Sequence, residues 1–143
     1  MTRTISRRAA LSLALLAGTA AVAQPNGGSK PAGSGWRVLD SFEVGEGIYV
    51  RALKPEEKRN VMWVGTSSGV HEVDLKTLKP MSTFTRKEGL ANEYVFSVGI
   101  DYQGNKWFGT NAGGVSRYNN GQWKTFFPMH GLADYWVYCF ASQ

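Results

Sequence analysis

The chain has 143 residues, a formal net charge of +5 and a single cysteine. That length holds one domain at most, and the lone Cys139 excludes an intrachain disulfide. Lys and Arg lie scattered among carboxylates, which excludes the basic stripe that nucleic-acid binding needs.

Residues 1–23 read as an export signal. Arg3, Arg7 and Arg8 make a positive n-region, residues 9–23 an apolar h-region, and Ala21-Val22-Ala23 a cleavage site ahead of Gln24. The h-region is short for a membrane span, so cleavage is expected in preference to retention as an anchor. Ser6-Arg7-Arg8-Ala9-Ala10-Leu11 resembles the twin-arginine export motif, with Ala10 in place of its Phe and Ser12 in place of its Lys. An ordinary signal with paired arginines is the alternative. Thr19 stands where a lipobox would carry Cys. Loss of the signal leaves 13 basic against 11 acidic residues, a net charge of +2, so the high pI is largely a property of the leader. The expected location is periplasmic or secreted.

Residues 24–35, rich in Gly, Pro and Ser, form a flexible linker. From Trp36 onward, short runs of β-formers alternate with turns and no helical period is sustained. Residues 36–42 are expected to be the last strand of one blade. A second unit over 48–85 has strands at 48–53, 61–66, 69–73 and 81–85, with a long turn at 54–60. A third over 94–127 has strands at 94–100, 106–110, 115–118 and 122–127. There, Asp101 to Asn105 turns on Gly104, and Asn119-Asn120-Gly121 is a type I′ hairpin signal. Residues 135–143 begin another copy, and Cys139 within their apolar run is expected to be a buried, inert thiol.

The units are repeats. Trp63-Val64-Gly65-Thr66, Gly69-Val70, Phe84 and Gly89-Leu90-Ala91 recur as Trp107-Phe108-Gly109-Thr110, Gly114-Val115, Phe126 and Gly131-Leu132-Ala133. A period of about 40–50 residues marks one supersecondary unit that buries its faces by stacking on copies of itself. Four antiparallel strands per unit describe a β-propeller blade. The predicted class is therefore all-β, an incomplete propeller over 36–143. Trp63 and Trp107 are read as inter-blade packing, Gly65 and Gly109 as sites of close backbone approach, and Thr66 and Thr110 as local hydrogen-bonding residues.

The Trp-x-Gly-Thr…Gly-Val…Tyr pattern, the Asp-x-x-Gly-Asn turn before the second Trp and the trailing Gly-Leu resemble the two-component-regulator propeller repeat. The resemblance covers 36–143. It implies a ring of about seven blades, often the periplasmic sensing part of a hybrid histidine kinase. The sequence has no kinase, transmembrane or DNA-binding module to carry a signalling output.

Function on such a scaffold falls to loops that differ between blades. Two loops lead into inner strands. They offer Arg86, Lys87, Asn92, Glu93 and Tyr94 from one blade, and His130, Asp134, Tyr135 and Trp136 from the next. Aromatics beside polar groups at a channel mouth suit a small polar ligand, a glycan or a peptide, although ordinary solvated loops have the same composition. No metal site is expected, because His71 and His130 are non-equivalent and no ligand spacing occurs. Asp101 lacks the further carboxylates of a calcium loop. There is no nucleophile elbow, phosphate loop or quinoprotein docking motif, and no cofactor is expected.

The expected function is thus a non-catalytic, sensor-like ligand-binding or protein-interaction module. The alternatives are a propeller enzyme resembling a streptogramin lyase or lactonase, and a scaffold of an envelope complex. Two blades with partial neighbours do not close a ring. A partial sequence is the expected explanation, with a split propeller or assembly from several chains as alternatives. Missing blades or a second chain then become partners.

Overall fold

The computed structural model describes residues 38 and 40–141. The signal, the linker and Trp36 lie outside the described residues. Eight strands form two four-stranded antiparallel sheets, each in sequence order. The first contains β1 (Val50–Glu56), β2 (Val61–Thr66), β3 (Gly69–Asp74) and β4 (Pro80–Phe84). The second contains β5 (Val95–Ile100), β6 (Lys106–Thr110), β7 (Val115–Asn119) and β8 (Gln122–Phe126).

The repeat-based strands are found where expected, with shifts at their ends. β1 runs on through Lys54-Pro55-Glu56, which pair with Trp63, Met62 and Val61. Pro55 is tolerated because β1 is an edge strand, where a missing N–H need not interrupt a ladder. The long turn expected at 54–60 therefore contracts to one 3-10 turn at Glu57–Arg59, closed by Asn60 at φ 54°. In the second blade the Asn119-Asn120-Gly121 hairpin forms with φ of 46° at Asn120 and 82° at Gly121.

Two expectations need correction. Residues 40–42 are not in a strand; instead Phe42 packs with Val44, Val50, Leu53 and Leu75 against Met62, Val64 and Val73. Residues 135–141 also form no sheet ladder. They nevertheless lie on the second blade as β5 lies on the first. Gly114 N–H donates to Tyr135 O at 2.9 Å, just as Gly69 N–H donates to Glu93 O at 2.7 Å.

The main core lies between the sheets. Trp63, Val61 and Val70 of the first blade meet Phe108, Val95 and Leu90, with Phe84, Tyr118 and Trp123 packed around them. Trp63 is fully buried, with ring centroids 5.9 Å from Phe108 and 6.0 Å from Tyr118, so it does fill the space between blades. All six residues of β2 are buried because both faces of the first sheet are covered. Gly65 admits the inner strand of the following blade, and Gly109 the segment 135–141. A Cβ on Gly65 would lie 2.9 Å from Val95 Cγ1, and one on Gly109 would collide with Val137 O and Ser97 Oγ. Thr66 and Thr110 are fully buried and donate their hydroxyls to Gly69 O and Gly114 O at 2.8 and 3.0 Å.

Candidate functional site

Each innermost strand carries one extra residue. The register of β1 on β2 shifts between Val50 and Ala52, and that of β5 on β6 shifts between Val95 and Ser97. Val50 and Val95 pair with Thr66 and Thr110, so Arg51 and Phe96 are equivalent bulge residues. A bulge leaves one residue outside the ladder and re-aims its side chain. Tyr138 occupies the aligned position in residues 135–141, while Tyr49, Tyr94 and Trp136 precede these positions by two residues.

These side chains join into one stripe across three consecutive units. The exposed guanidinium of Arg51 hydrogen-bonds the Tyr94 hydroxyl and lies 5.2 Å from the centre of the same ring. Tyr94 meets Phe96 edge-on at 5.3 Å. Phe96 then stacks on Tyr138 at 4.8 Å and on Trp136 at 6.3 Å, with Trp136 and Tyr138 6.4 Å apart. The last three rings are near-parallel, tilted by 20–28°. Trp136 is 46% and Tyr138 63% exposed, so this aromatic surface faces solvent.

The loop residues singled out from sequence make many bonds within the loops themselves. The backbone N–H groups of Arg86 and Lys87 are held by Glu93 Oε1 at 3.5 Å and Thr85 Oγ1 at 3.2 Å. Asn92 accepts Tyr94 N–H at 2.9 Å, and Asp134 accepts Trp136 N–H at 3.3 Å, the same turn in two copies. The carbonyls of Glu93 and Tyr135 receive the paired glycine N–H bonds described above. His130 Nδ1 accepts Phe127 N–H at 3.0 Å, matching Glu88, whose Oε2 accepts Thr85 N–H at 2.6 Å. The hydroxyl and N–H of Thr85 hold the Glu88 carboxyl below the usual carboxylate range. Only Tyr94 and Trp136 of the nine enter the stripe. Arg51, Phe96 and Tyr138 are the residues that sequence reasoning missed, and the shared offset of the inner strands is the signal that could have found them.

A second polar constellation ties the blades together. Glu56 ends β1 and accepts Trp63 Nε1–H at 2.8 Å; Asp101 follows β5 and accepts Trp107 Nε1–H at 2.8 Å. Asp101 also holds its turn through Gln103 N–H, Asn105 N–H and the Asn105 side chain at 2.7–3.0 Å. Lys106 reaches back from the second blade to Glu56 Oε1 at 3.0 Å, 5.6 Å from the Trp63 ring centre. Burial works to raise the Glu56 carboxyl, but bonds from Trp63 and Lys106 and the charges of Lys106 and Arg59 hold it below its ordinary value. Asp101 is held low likewise, with Asn105, Trp107 and Gln103 outweighing burial. His71 is buried with Nδ1 3.1 Å from Thr83 Oγ1, and burial lowers its pKa.

A cavity of about 610 Å³ lies elsewhere, lined by Lys54, Val98, Ile100, Asp101, Trp107 and Phe140. Its Trp107 and Asp101 are already bonded to each other, and it lies toward the end of β5 away from the Phe96 bulge. Cys139 is exposed, against the expected burial. It aligns with Ser97, whose hydroxyl is covered by bonding to Val137 O at 3.2 Å in the next unit. Among the described residues nothing covers Cys139 in that way, and no cluster of His, Cys, Asp or Glu could hold a metal.

Two consecutive propeller-type blades, with an aromatic stripe running from the start of β5 onto residues 135–141, define the class of this protein. In solved structures it is similar to the extracellular domain of BT3049 from B. thetaiotaomicron, assigned as a hybrid two-component system. The TM-score is 0.61 at 27% identity, over 70% of this chain and 14% of that one. Two structures of the BT4673 extracellular domain from the same organism match at TM-scores of 0.52 and 0.55 with 16% and 15% identity, which bears on fold alone. They align with 55% and 61% of this chain, which spans 12% and 13% of theirs. No family model and no curated protein matches the chain. No helix among the described residues is long and apolar enough to cross a membrane.

Proposed function

We propose that the chain is a recognition module of a periplasmic or extracellular propeller of the two-component-regulator type, binding a small polar ligand, a glycan or a protein segment without catalysis. The observation that carries this reading is the stripe from Arg51 through Tyr94, Phe96, Trp136 and Tyr138, built at a bulge that the scaffold repeats. Exposed aromatic faces with one charged group supply apolar contact and orientation together. The likeness to the BT3049 extracellular domain supports the location and the sensor-like role. Export by the twin-arginine route, with cleavage after Ala23, belongs to the same reading. Two blades are part of a ring of four to eight, so recognition belongs to a larger propeller completed by further repeats or a second chain.

The test is a panel of oligosaccharides, small polar metabolites and short peptides titrated into the full chain and followed by tryptophan fluorescence. Binding that Trp136→Ala and Tyr138→Ala abolish, while Tyr102→Ala on the distant Asp101 turn leaves it unchanged, supports the proposal. Binding indifferent to both stripe variants, or turnover of a bound compound, overturns it.

A further inference from the structure

We infer that the stripe selects ligands carrying a carboxylate on a flat-faced ring, with Arg51 reading the carboxylate and Phe96, Trp136 and Tyr138 the ring. This rests on the proposal that the stripe is a binding site and adds the ligand's charge.

Arg51 is the cationic residue of the stripe, and its position is set from two sides. Its bulge takes it out of the ladder, and the Tyr94 hydroxyl and ring hold the guanidinium. A guanidinium has five donors in a planar fork, and one bond to a phenol leaves most of them available. The other arginine of the first blade is engaged differently. Arg59 lies 3.3 Å from Glu56 and 2.5 Å from Glu72. Arg51 has no carboxylate within ion-pair distance among the described residues. Glu93, the acidic neighbour of Tyr94, approaches the Arg86 backbone N–H instead.

The ring end of the stripe complements this. Of three near-parallel rings, the exposed Trp136 and Tyr138 accept another flat face by offset stacking. Tyr94 links the two ends, bonded to Arg51 and edge-on to Phe96. A ligand bridging them gains an apolar contact and a charge-assisted, fork-shaped pair. An aryl carboxylate and a uronic-acid saccharide share this chemistry.

The experiment measures affinities of the full chain by calorimetry for two matched pairs: 2-naphthoate with 2-naphthamide, and digalacturonate with its methyl ester. The acid of at least one pair is expected to bind about tenfold more tightly than its neutral partner, the scale of one charge-assisted bond. The pair showing this preference identifies the ring class. Arg51→Gln should remove the preference, bringing the acid's affinity to that of its neutral partner. Acid and neutral forms binding equally, or a preference that survives Arg51→Gln, overturns the role of Arg51 while the stripe stands as a site. Binding of all four compounds unaffected by Tyr138→Ala, or no binding at all, overturns the inference together with the site on which it rests.

Discussion

Lys106 Nζ lies 3.0 Å from Glu56 Oε1, joining the first residue of β6 to the last of β1 across the boundary between blades. Both side chains are largely buried, at 10% and 13% exposure. The ammonium also donates to Gly104 O at 2.9 Å and sits beside the Trp63 ring. One side chain thus anchors a turn of its own blade and the carboxylate that orients the neighbour's tryptophan.

Lys106→Met should destabilise the chain by about 2 kcal/mol, because a partly buried carboxylate loses its cation. Arg59, still 3.3 Å from Glu56, limits the loss. Adding Glu56→Gln should recover part of it, since the amide removes the unpaired charge. Urea unfolding of the two variants and the double variant measures the coupling.

Stability should fall in two stages on acidification. His71 has a lowered pKa because it is buried, so the unfolded chain binds its proton first. Its contribution is complete above the ordinary imidazole value of about 6.5 and is lost as pH falls through the lower folded value. Glu56 and Asp101 are also held low. Their contribution is complete above the ordinary carboxyl range of about 4 and disappears as pH falls through their folded values. Chemical denaturation against pH should show both stages, and His71→Gln should remove only the upper one.

Gly65→Ala and Gly109→Ala should fail differently. A methyl at Gly65 meets side chains, chiefly Val95 Cγ1, inside the main core and should cost about 1–3 kcal/mol by overpacking. A methyl at Gly109 collides with Ser97 Oγ, a hydroxyl that can turn aside, and with Val137 O, in a segment held by few backbone bonds. It should displace that segment instead of unfolding the sheets. Hydrogen exchange should then show loss of protection at the Gly114 and Val137 amides while β6 stays protected.

Cys139 should react fully with a maleimide in the native state, because it is exposed. Reaction only after denaturation would contradict the described position of residues 135–141.

The sheets were legible because packing repeats. β2 and β6 coincide with the stretches expected from Trp-x-Gly-Thr, and Gly65, Gly109, Thr66 and Thr110 have the roles assigned to them. Burial of Cys139 was misjudged because an apolar run implies cover only where a neighbouring unit supplies it. The stripe was half legible: Tyr94 and Trp136 stood out as aromatics in loops. The bulges did not, since a single unpaired residue has no compositional signature and Arg51 shares no chemistry with Phe96. Loop polarity left the local bonding hidden for the opposite reason. Asn92, Asp134 and His130 spend their hydrogen bonds on their own turns, which residue type alone does not reveal.

The bulge at Arg51 and Phe96 separates what the scaffold requires from what it leaves open. Ladder residues on either side are constrained by strand pairing and by the glycines of the neighbouring unit, whereas the bulge residue meets neither demand. The aligned position already holds Arg, Phe and Tyr in three copies. On the proposed reading of the stripe as a binding site, a blade with the same bulge would bring one interchangeable side chain to it, and specificity could change there one residue at a time without reworking the fold.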